Sequence, residues 1–384
     1  MSLLKIAVAG IFAIPALLVS IVTAPLIAVL SLPSLALLCF QSSEAPQSKK
    51  DTANSPTKDH AIISGGSTGI GFSIAQDCVQ RGMTQVTIMA RTKSKLEAAV
   101  QKLEDIKQRV GSKTTISYRS VDVSDAPAVQ AVAKELAGTG DHQGGETKYY
   151  LFCCAGMAYP GYFEHISHDK FAHCVNVNQL GTIFTVQAFL PHMTHAVIVL
   201  TSSLAGQVGV YGYTAYSPTK FALRGFAEVL HAELADNPQV HIQVAFPPDT
   251  DTPGFQEEEK TKPKETKLTS EDAGLSKPED IANQMVKAAL APNPAFLVYF
   301  TLEGWMLSAL TAGMSPVSTL VDAVTQVSLG GLFRLISLFY LNDWWRIIRQ
   351  CAQERIDNNQ EKPRPSAGDS ANNSNSKSSD KKSD

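Results

Sequence analysis

The chain is short of the features that announce a metal centre or a nucleic-acid grip. Its six cysteines, Cys39, Cys78, Cys153, Cys154, Cys174 and Cys351, form no CxxC pair, and no cysteine and histidine group has the spacing of a zinc site. They read instead as reduced thiols in a cytosolic environment, behaving as small buried hydrophobes, and no metal is called for. Lysine and arginine number 33 against 36 acidic residues, a net charge of −3, so there is no positive excess to hold phosphate backbones and nucleic acid is not an expected partner. Charge is missing altogether from residues 6–40, where Ser20, Thr23, Ser31 and Ser34 are the only polar side chains. A cleaved signal has an apolar core of roughly 7–15 residues and a small-residue cleavage site, so this longer run fits a membrane anchor. Pro15, Pro25 and Pro33 interrupt any straight helix through it, which leaves a tilted crossing and a re-entrant hairpin both open.

After the anchor (1–40) comes a polar linker (41–57) with Lys49 and Lys50, and Lys58 directly after it, a positive-inside flank. From there apolar runs of strand length at 61–64, 86–90, 116–121, 149–153, 196–200 and 240–246 alternate with helical patterns, such as Leu96, Ala99, Val100, Leu103 and Ile106 at 3.6-residue spacing. That alternation predicts an α/β fold, a doubly wound parallel sheet of Rossmann type in one domain over 58–295, with ligands at the carboxyl ends of the strands. Residues 296–345 form a hydrophobic segment expected to associate with membrane. Its apolar stretches, 305–320 and 329–341, are each too short for an ordinary crossing and are broken by Gly313, Pro316, Asp322, Gly330, Gly331 and Arg334. A shallow hairpin, interfacial helices or a substrate-facing extension of the domain all fit. Residues 346–384 are expected to be a disordered cytosolic tail, rich in Ser, Asn, Lys and Asp. Lys381 and Lys382 stand four and three residues from the carboxyl end, which resembles the dilysine retrieval signal of endoplasmic reticulum membrane proteins; chance in a Lys/Ser-rich end gives the same spacing.

The segment Ser64-Gly65-Gly66-Ser67-Thr68-Gly69-Ile70-Gly71 sits where a strand gives way to a helix. Gly65 permits a tight turn, Gly69 lets the backbone approach a pyrophosphate and Gly71 allows close helix packing, while Ser67, Thr68 and Ile70 lie on the same loop and the helix N-terminus offers N–H groups. At the end of the second strand a carboxylate would favour NAD, but the sequence there is Ala90-Arg91, with Lys93 and Lys95 following. NADPH is therefore the expected cofactor, the bland alternative being that Arg91 is a solvated charge at a helix start. Asp122-Val123, at the end of the third strand, can put a carboxylate near an adenine amino group or cap the next helix.

Tyr216-Ser217-Pro218-Thr219-Lys220 places a phenol and an ammonium on one helical face. A free phenol near pKa 10 is a poor acid at neutral pH, and a cation beside it is expected to lower that value. Ser203, 13 residues earlier in the chain at a strand end, can hydrogen-bond a developing alkoxide, with Ser202 as a strand-end cap. Asn178, in the preceding helix, can hold a water against Lys220 or make a backbone bond.

The glycine motif, Ala155-Gly156, Asn178, Ser203, Tyr216 and Lys220 together resemble the short-chain dehydrogenase/reductase family over about residues 58–295. Within it, the stretch from Phe246-Pro247-Pro248 to Glu265-Thr266 and the segments Gly331-Leu332-Phe333-Arg334 and Leu338-Phe339-Tyr340 are similar to the 3-ketodihydrosphingosine (3-ketosphinganine) reductases. The resemblance implies NADPH-dependent reduction of a C3 ketone on a long-chain ketosphingoid base, with Tyr216 as proton donor, Lys220 also on the nicotinamide ribose, Pro247 beside the nicotinamide and Thr252 near its carboxamide. It implies work at the bilayer, on the cytosolic face of the endoplasmic reticulum, and a homodimer or sphingolipid-pathway enzymes as partners. Asp249 and Asp251 are candidates for recognising the substrate amine. Two departures stand out: Cys153-Cys154 where the family has Asn-Asn, and Pro247-Pro248 where it has Pro-Gly. A membrane-bound reductase of a steroid, retinoid or other lipid carbonyl would share every catalytic residue, and a non-catalytic binding module would share the fold.

Overall fold

Five of the seven strands described carry buried runs of mostly apolar residues, which is how a covered parallel sheet reads in sequence, while the edge strand Thr115–Ser120 is only partly covered. The computed structural model describes residues 58–138, 146–270 and 274–358; the anchor and linker expected over 1–57 and the Lys381-Lys382 pair lie outside the described residues. The strands are β1 (Lys58–Ser64), β2 (Gln85–Ala90), β3 (Thr115–Ser120), β4 (Thr147–Cys153), β5 (His195–Thr201), β6 (Val240–Ala245) and β7 (Leu297–Val298). All neighbours are parallel, in the order β3-β2-β1-β4-β5-β6-β7. The order reverses between β1 and β4, where Ser64 lies opposite Cys153, and a crevice opens at that switch point. The two-residue β7 was not read from the sequence, and it carries the sheet past the expected domain end at 295.

Alternate residues along each strand feed the two sides of the sheet. Ile63, Val86 and Ile88 pack on one side with Ile74 and Cys78 of α1 (Gly69–Gln80), Leu96 and Leu103 of α2 (Lys93–Val110) and Met285. On the other side Ile62, Leu151 and Ile198 pack with Val129 of α3 (Ala126–Gly138) and with Phe189. Each such fully buried side chain contributes roughly 1.5–3 kcal/mol, so the sheet is a rigid platform for its carboxyl edge. Helix α4 (His168–Cys174) runs into a π-helical turn, Val175–Leu180, and then into α5 (Gly181–Phe189). Helix α6 (Ser217–Glu233) follows β5, and α7 (Pro253–Glu259), α8 (Lys264–Ser270) and α9 (Pro278–Ala289) follow β6.

The carboxyl-terminal part departs from the sequence reading. Instead of two short apolar pieces, α10 (Leu302–Leu310) is followed by a single 38-residue helix, α11 (Leu320–Asp357). Asp322, read as an interruption, belongs to the start of this helix: the Thr319 hydroxyl accepts from the Asp322 backbone N–H at 3.1 Å and donates to its carboxylate at 2.7 Å. Residues 346–357, expected to begin the tail, continue the same helix. It would measure roughly 57 Å against a hydrocarbon core of about 30 Å, and it is long and apolar enough, by length and composition, to cross a membrane. It also packs on the domain, through Phe333 against Trp305 of α10 with ring centroids 5.3 Å apart.

Candidate active site

The carboxyl ends of the strands, α10 and α11 enclose one cavity of about 1730 Å³. At its sheet end lies the glycine loop. Gly65 has φ 71°, and a Cβ there would stand 2.7 Å from the Ala155 backbone nitrogen; one on Gly71 would stand 2.5 Å from the Gly65 carbonyl oxygen. No side chain caps the start of α1, where Thr68 is extended, so its first N–H groups face the cavity beside Ser67, Gly69 and Ile70. An uncapped helix start behind a glycine turn fits a pyrophosphate. Thr252 closes over this loop: its methyl would be 3.1 Å from a Cβ on Gly69, which has φ 58°, while its hydroxyl accepts from the Phe255 N–H at 3.1 Å. Pro247, Ala155 and Gly156 also line the cavity.

Arg91 and Lys95 line the same end, and the Arg91 guanidinium lies 3.8 Å from the Asp122 carboxylate. The end of β2 thus presents cations and no acid, which suits a 2′-phosphate. Asp122 accepts from the Ser124 N–H at 2.9 Å and hydroxyl at 2.7 Å. Burial alone would raise its pKa, but these bonds and Arg91 hold it below the usual value. It does not cap α3; Asp125 does, accepting from the Ala128 N–H at 3.1 Å. That leaves Asp122, with Val123 next to it, facing the cavity.

Ser203, Tyr216 and Lys220 meet on one wall of the cavity. Tyr216 is the residue at the start of α6, with Pro218 in the first turn, where its missing N–H costs nothing. The Lys220 ammonium donates to the Thr201 carbonyl at 2.8 Å and lies 5.6 Å from the centre of the Tyr216 ring. Burial lowers the Lys220 pKa to about 8, opposed by Cys154 and Glu258. The Tyr216 phenol runs against the sequence expectation: burial, then the Glu258 charge, push it upward, and the bond to Ser203 only partly offsets them. The ammonium expected to lower it is engaged by the Thr201 carbonyl. A phenol so held stays protonated at neutral pH, the form a proton donor needs. Ser203 also accepts from the Ala205 N–H at 3.2 Å, whereas the buried Ser202 donates to the Lys220 carbonyl at 2.8 Å and so ties β5 to α6.

Asn178 sits behind the wall. Fully buried in the π-helical turn, it accepts from the Met157 N–H at 2.9 Å and donates to the Met157 carbonyl at 2.8 Å and to Thr219 at 3.1 Å. These partners are distant in sequence, so the amide does not make the local backbone bond read as one alternative. A π-helical turn is often found at functional sites, and here it brings the amide between Met157 and α6. Cys154 accepts from the Thr201 hydroxyl at 3.3 Å; burial raises its thiol to about 11, so the residue in place of the family Asn is neutral.

Sequence reasoning missed the floor beside the phenol. Tyr213, with its ring centroid 5.5 Å from that of Tyr216, donates to Glu258 at 3.0 Å. Burial raises Glu258 to about 7, opposed by Tyr213 and Lys262. The spacing gave no hint of it, because α7 reaches the cavity from beyond β6. Of the two acids put forward for the amine, Asp249 lines the cavity but lies 3.4 Å from the buried Lys262 ammonium, and Asp251 accepts from Gln256 at 3.2 Å outside it. Beyond Tyr216 the walls become apolar: Met306, Leu307 and Leu310 of α10 face Phe333, Ile336 and Phe339 of α11.

Residues 59–263 match the short chain dehydrogenase family. The chain is 43% identical over 303 residues to a 3-dehydrosphinganine reductase of Danio rerio, covering 77% of this chain and 87% of that protein. It is 41% identical over 303 residues to a 3-ketodihydrosphingosine reductase of Bos taurus, with the same coverage. Among solved structures it is similar to ElxO with NADP bound, at TM-score 0.54 and 22% identity, covering 63% of this chain and 96% of that one. An alcohol dehydrogenase from the archaeon Thermococcus sibiricus, complexed with 5-hydroxy-NADP, gives 0.51 at 25% identity, over 64% and 96%.

Proposed function

The chain belongs to the short-chain dehydrogenase family, and from that premise we propose that it reduces the C3 ketone of 3-ketosphinganine to dihydrosphingosine with NADPH. The observation that carries the proposal is the meeting of Ser203, Tyr216 and Lys220 on one wall of a cavity whose other end is lined by the apolar side chains of α10 and α11. NADPH, when bound, supplies the hydride that the ketone carbon accepts. The glycine loop and the start of α1 would hold its pyrophosphate, Arg91 and Lys95 its 2′-phosphate, and Asp122 the adenine side. Tyr216 gives its proton to the ketone oxygen as charge develops there, and Ser203 donates a hydrogen bond to the same oxygen. Lys220 keeps a positive charge beside the phenol as the proton leaves, while Asn178 fixes the Met157 loop and α6 in register.

A long alkyl chain costs roughly 0.8 kcal/mol per methylene to hold in water. A cavity walled by a helix able to enter a bilayer lets that chain pass from lipid to the site without full hydration. Membrane association through α11 fits this route, and the apolar stretch at 6–40 adds a second anchor. The reading places the domain on the cytosolic face of the endoplasmic reticulum, which the free thiols among the described residues support. An assembly with sphingolipid-pathway enzymes would bring successive steps together, and a homodimer is the other partner arrangement this reading allows.

The test is turnover of 3-ketosphinganine with NADPH by the full-length chain in lipid vesicles, beside Tyr216→Phe and a panel of steroid, retinoid and acyl ketones. The proposal expects preference for the ketosphingoid base and a loss of a hundredfold or more, roughly, in the variant. Equal or better turnover of a steroid ketone, or full activity in the variant, would overturn it.

A further inference from the structure

We infer that Glu258 selects for an amino ketone: its carboxylate, facing the cavity beside Tyr216, receives the ammonium carried on the carbon next to the substrate ketone. The inference rests on the ketosphingoid-base reading of the substrate. In such a molecule the ammonium lies one carbon from the reacting carbonyl, so its partner must stand close to the phenol that protonates the oxygen. Six acids line the cavity, and five are placed for other work. Asp122 is at the cofactor end with Arg91; Asp249 faces Lys262; Glu257 is exposed and bonded to Lys260 at 2.6 Å; Glu303 is exposed in the first turn of α10; Asp343 is paired with Arg346.

Glu258 is different in two respects. Tyr213, whose ring lies against that of Tyr216, fixes one carboxylate oxygen through the 3.0 Å bond, and the other oxygen carries no hydrogen bond among the described residues. The carboxylate is also largely removed from water, with Tyr213, Lys262, Asp249, Lys220, Tyr216 and Cys174 as the titratable groups around it, and burial raises its pKa to about 7. An ammonium arriving there would offset the cost of keeping the charge buried. Burial is the main cause that pushes the Tyr216 phenol upward, and the Glu258 charge the second; an ammonium would neutralise that second part, so an amino ketone would ease the proton transfer relative to a plain ketone.

The test compares the full-length chain with Glu258→Gln, which can still accept from Tyr213 but has no charge, using NADPH with 3-ketosphinganine and with the matching 1-hydroxy-3-ketone that lacks the amino group. The expected result is a fall of roughly tenfold to a hundredfold in the ratio of kcat/KM for the amino ketone over that for the plain ketone, chiefly through KM. An unmoved ratio overturns the inference and leaves ketone reduction standing. Failure of the unaltered chain to consume NADPH with either ketone overturns the reaction and this inference together. Should the variant not bind NADPH, the unaltered chain decides: KM for the amino ketone rises as pH falls through about 7 while that for the plain ketone does not. The substrate amine is more fully protonated at lower pH, so it cannot cause that rise, and parallel pH profiles for the two ketones would overturn the inference.

Discussion

Arg355, close to the end of α11, is ion-paired with Glu265 of α8, and Tyr162 joins the pair with hydrogen bonds of 3.2 Å to each. Glu265 is fully buried, so the long helix is fastened to α8 by a charge that has left water. Removing Arg355 deprives that carboxylate of its cation, a change that costs on the order of 3–5 kcal/mol at a buried pair. Arg355→Ala is expected to lower the thermal unfolding midpoint by several degrees, and the pair Arg355→Met with Glu265→Leu to recover much of it. Circular dichroism melts in detergent check this; an unaltered midpoint in the single variant would show the pair to be idle.

Asn178→Ala removes the partner of the Met157 N–H, the nearer of two partners of its carbonyl (the other is Cys174 Sγ at 4.0 Å) and one partner of Thr219. Each orphaned buried group costs about 1–3 kcal/mol. The expected outcome is a lower urea midpoint together with a loss of turnover larger than the loss of NADPH affinity, because α6 and its Tyr216 shift while the glycine loop does not. Turnover retained at full rate in a folded variant would show that the amide has no positioning role.

The sheet was legible because parallel strands covered on both faces leave unbroken apolar runs, as at Ile62 and Ile63 or at Val197 to Leu200. β7 was not, since two residues carry no period. The wall of Ser203, Tyr216 and Lys220 could be read because its spacing is fixed by one strand end and one helix. Glu258 and Tyr213 could not, because their meeting depends on where α7 lands after a chain of turns from β6. The length of α11 was hidden by Gly330, Gly331 and Arg334, residues that disfavour a helix interior or break an apolar run. Tertiary packing through Phe333 and the Thr319–Asp322 cap outweigh that local preference. That Asp122 does not cap the following helix could not be read from the sequence, because Asp125, which holds the cap, is an equally good candidate by residue type.

Arg91 decides between cofactors if its charge meets the 2′-phosphate. Arg91→Glu replaces a half-exposed cation with an acid at the end of β2, beside Asp122. The KM for NADPH is expected to rise by roughly tenfold to a hundredfold through like-charge repulsion, with a much smaller change for NADH. Steady-state kinetics with the two cofactors measure it, and a parallel rise for both would mean that Arg91 is a solvated charge.

The pH profile of kcat/KM for the amino ketone should be a narrow bell. Lys220 has its pKa lowered to about 8, so its ammonium is present below that pH and lost above it. Glu258 has its pKa raised to about 7, so its carboxylate is present above that pH and lost below it. Both charges coexist only between these limits, and kcat/KM reports the free enzyme, in which these values apply. The same shifts fix the sign of the stability effects. Keeping Glu258 ionised in the fold is unfavourable, and that penalty is full above about 7 and fades as pH falls toward the ordinary carboxylate value of 4.5. Glu258→Gln is therefore expected to melt a few degrees higher than the unaltered chain at pH 8 and to converge with it near pH 4.5. Differential scanning fluorimetry across that range tests the sign, and a variant that melts lower at pH 8 would mean that the carboxylate stabilises the fold and is not held there at a cost.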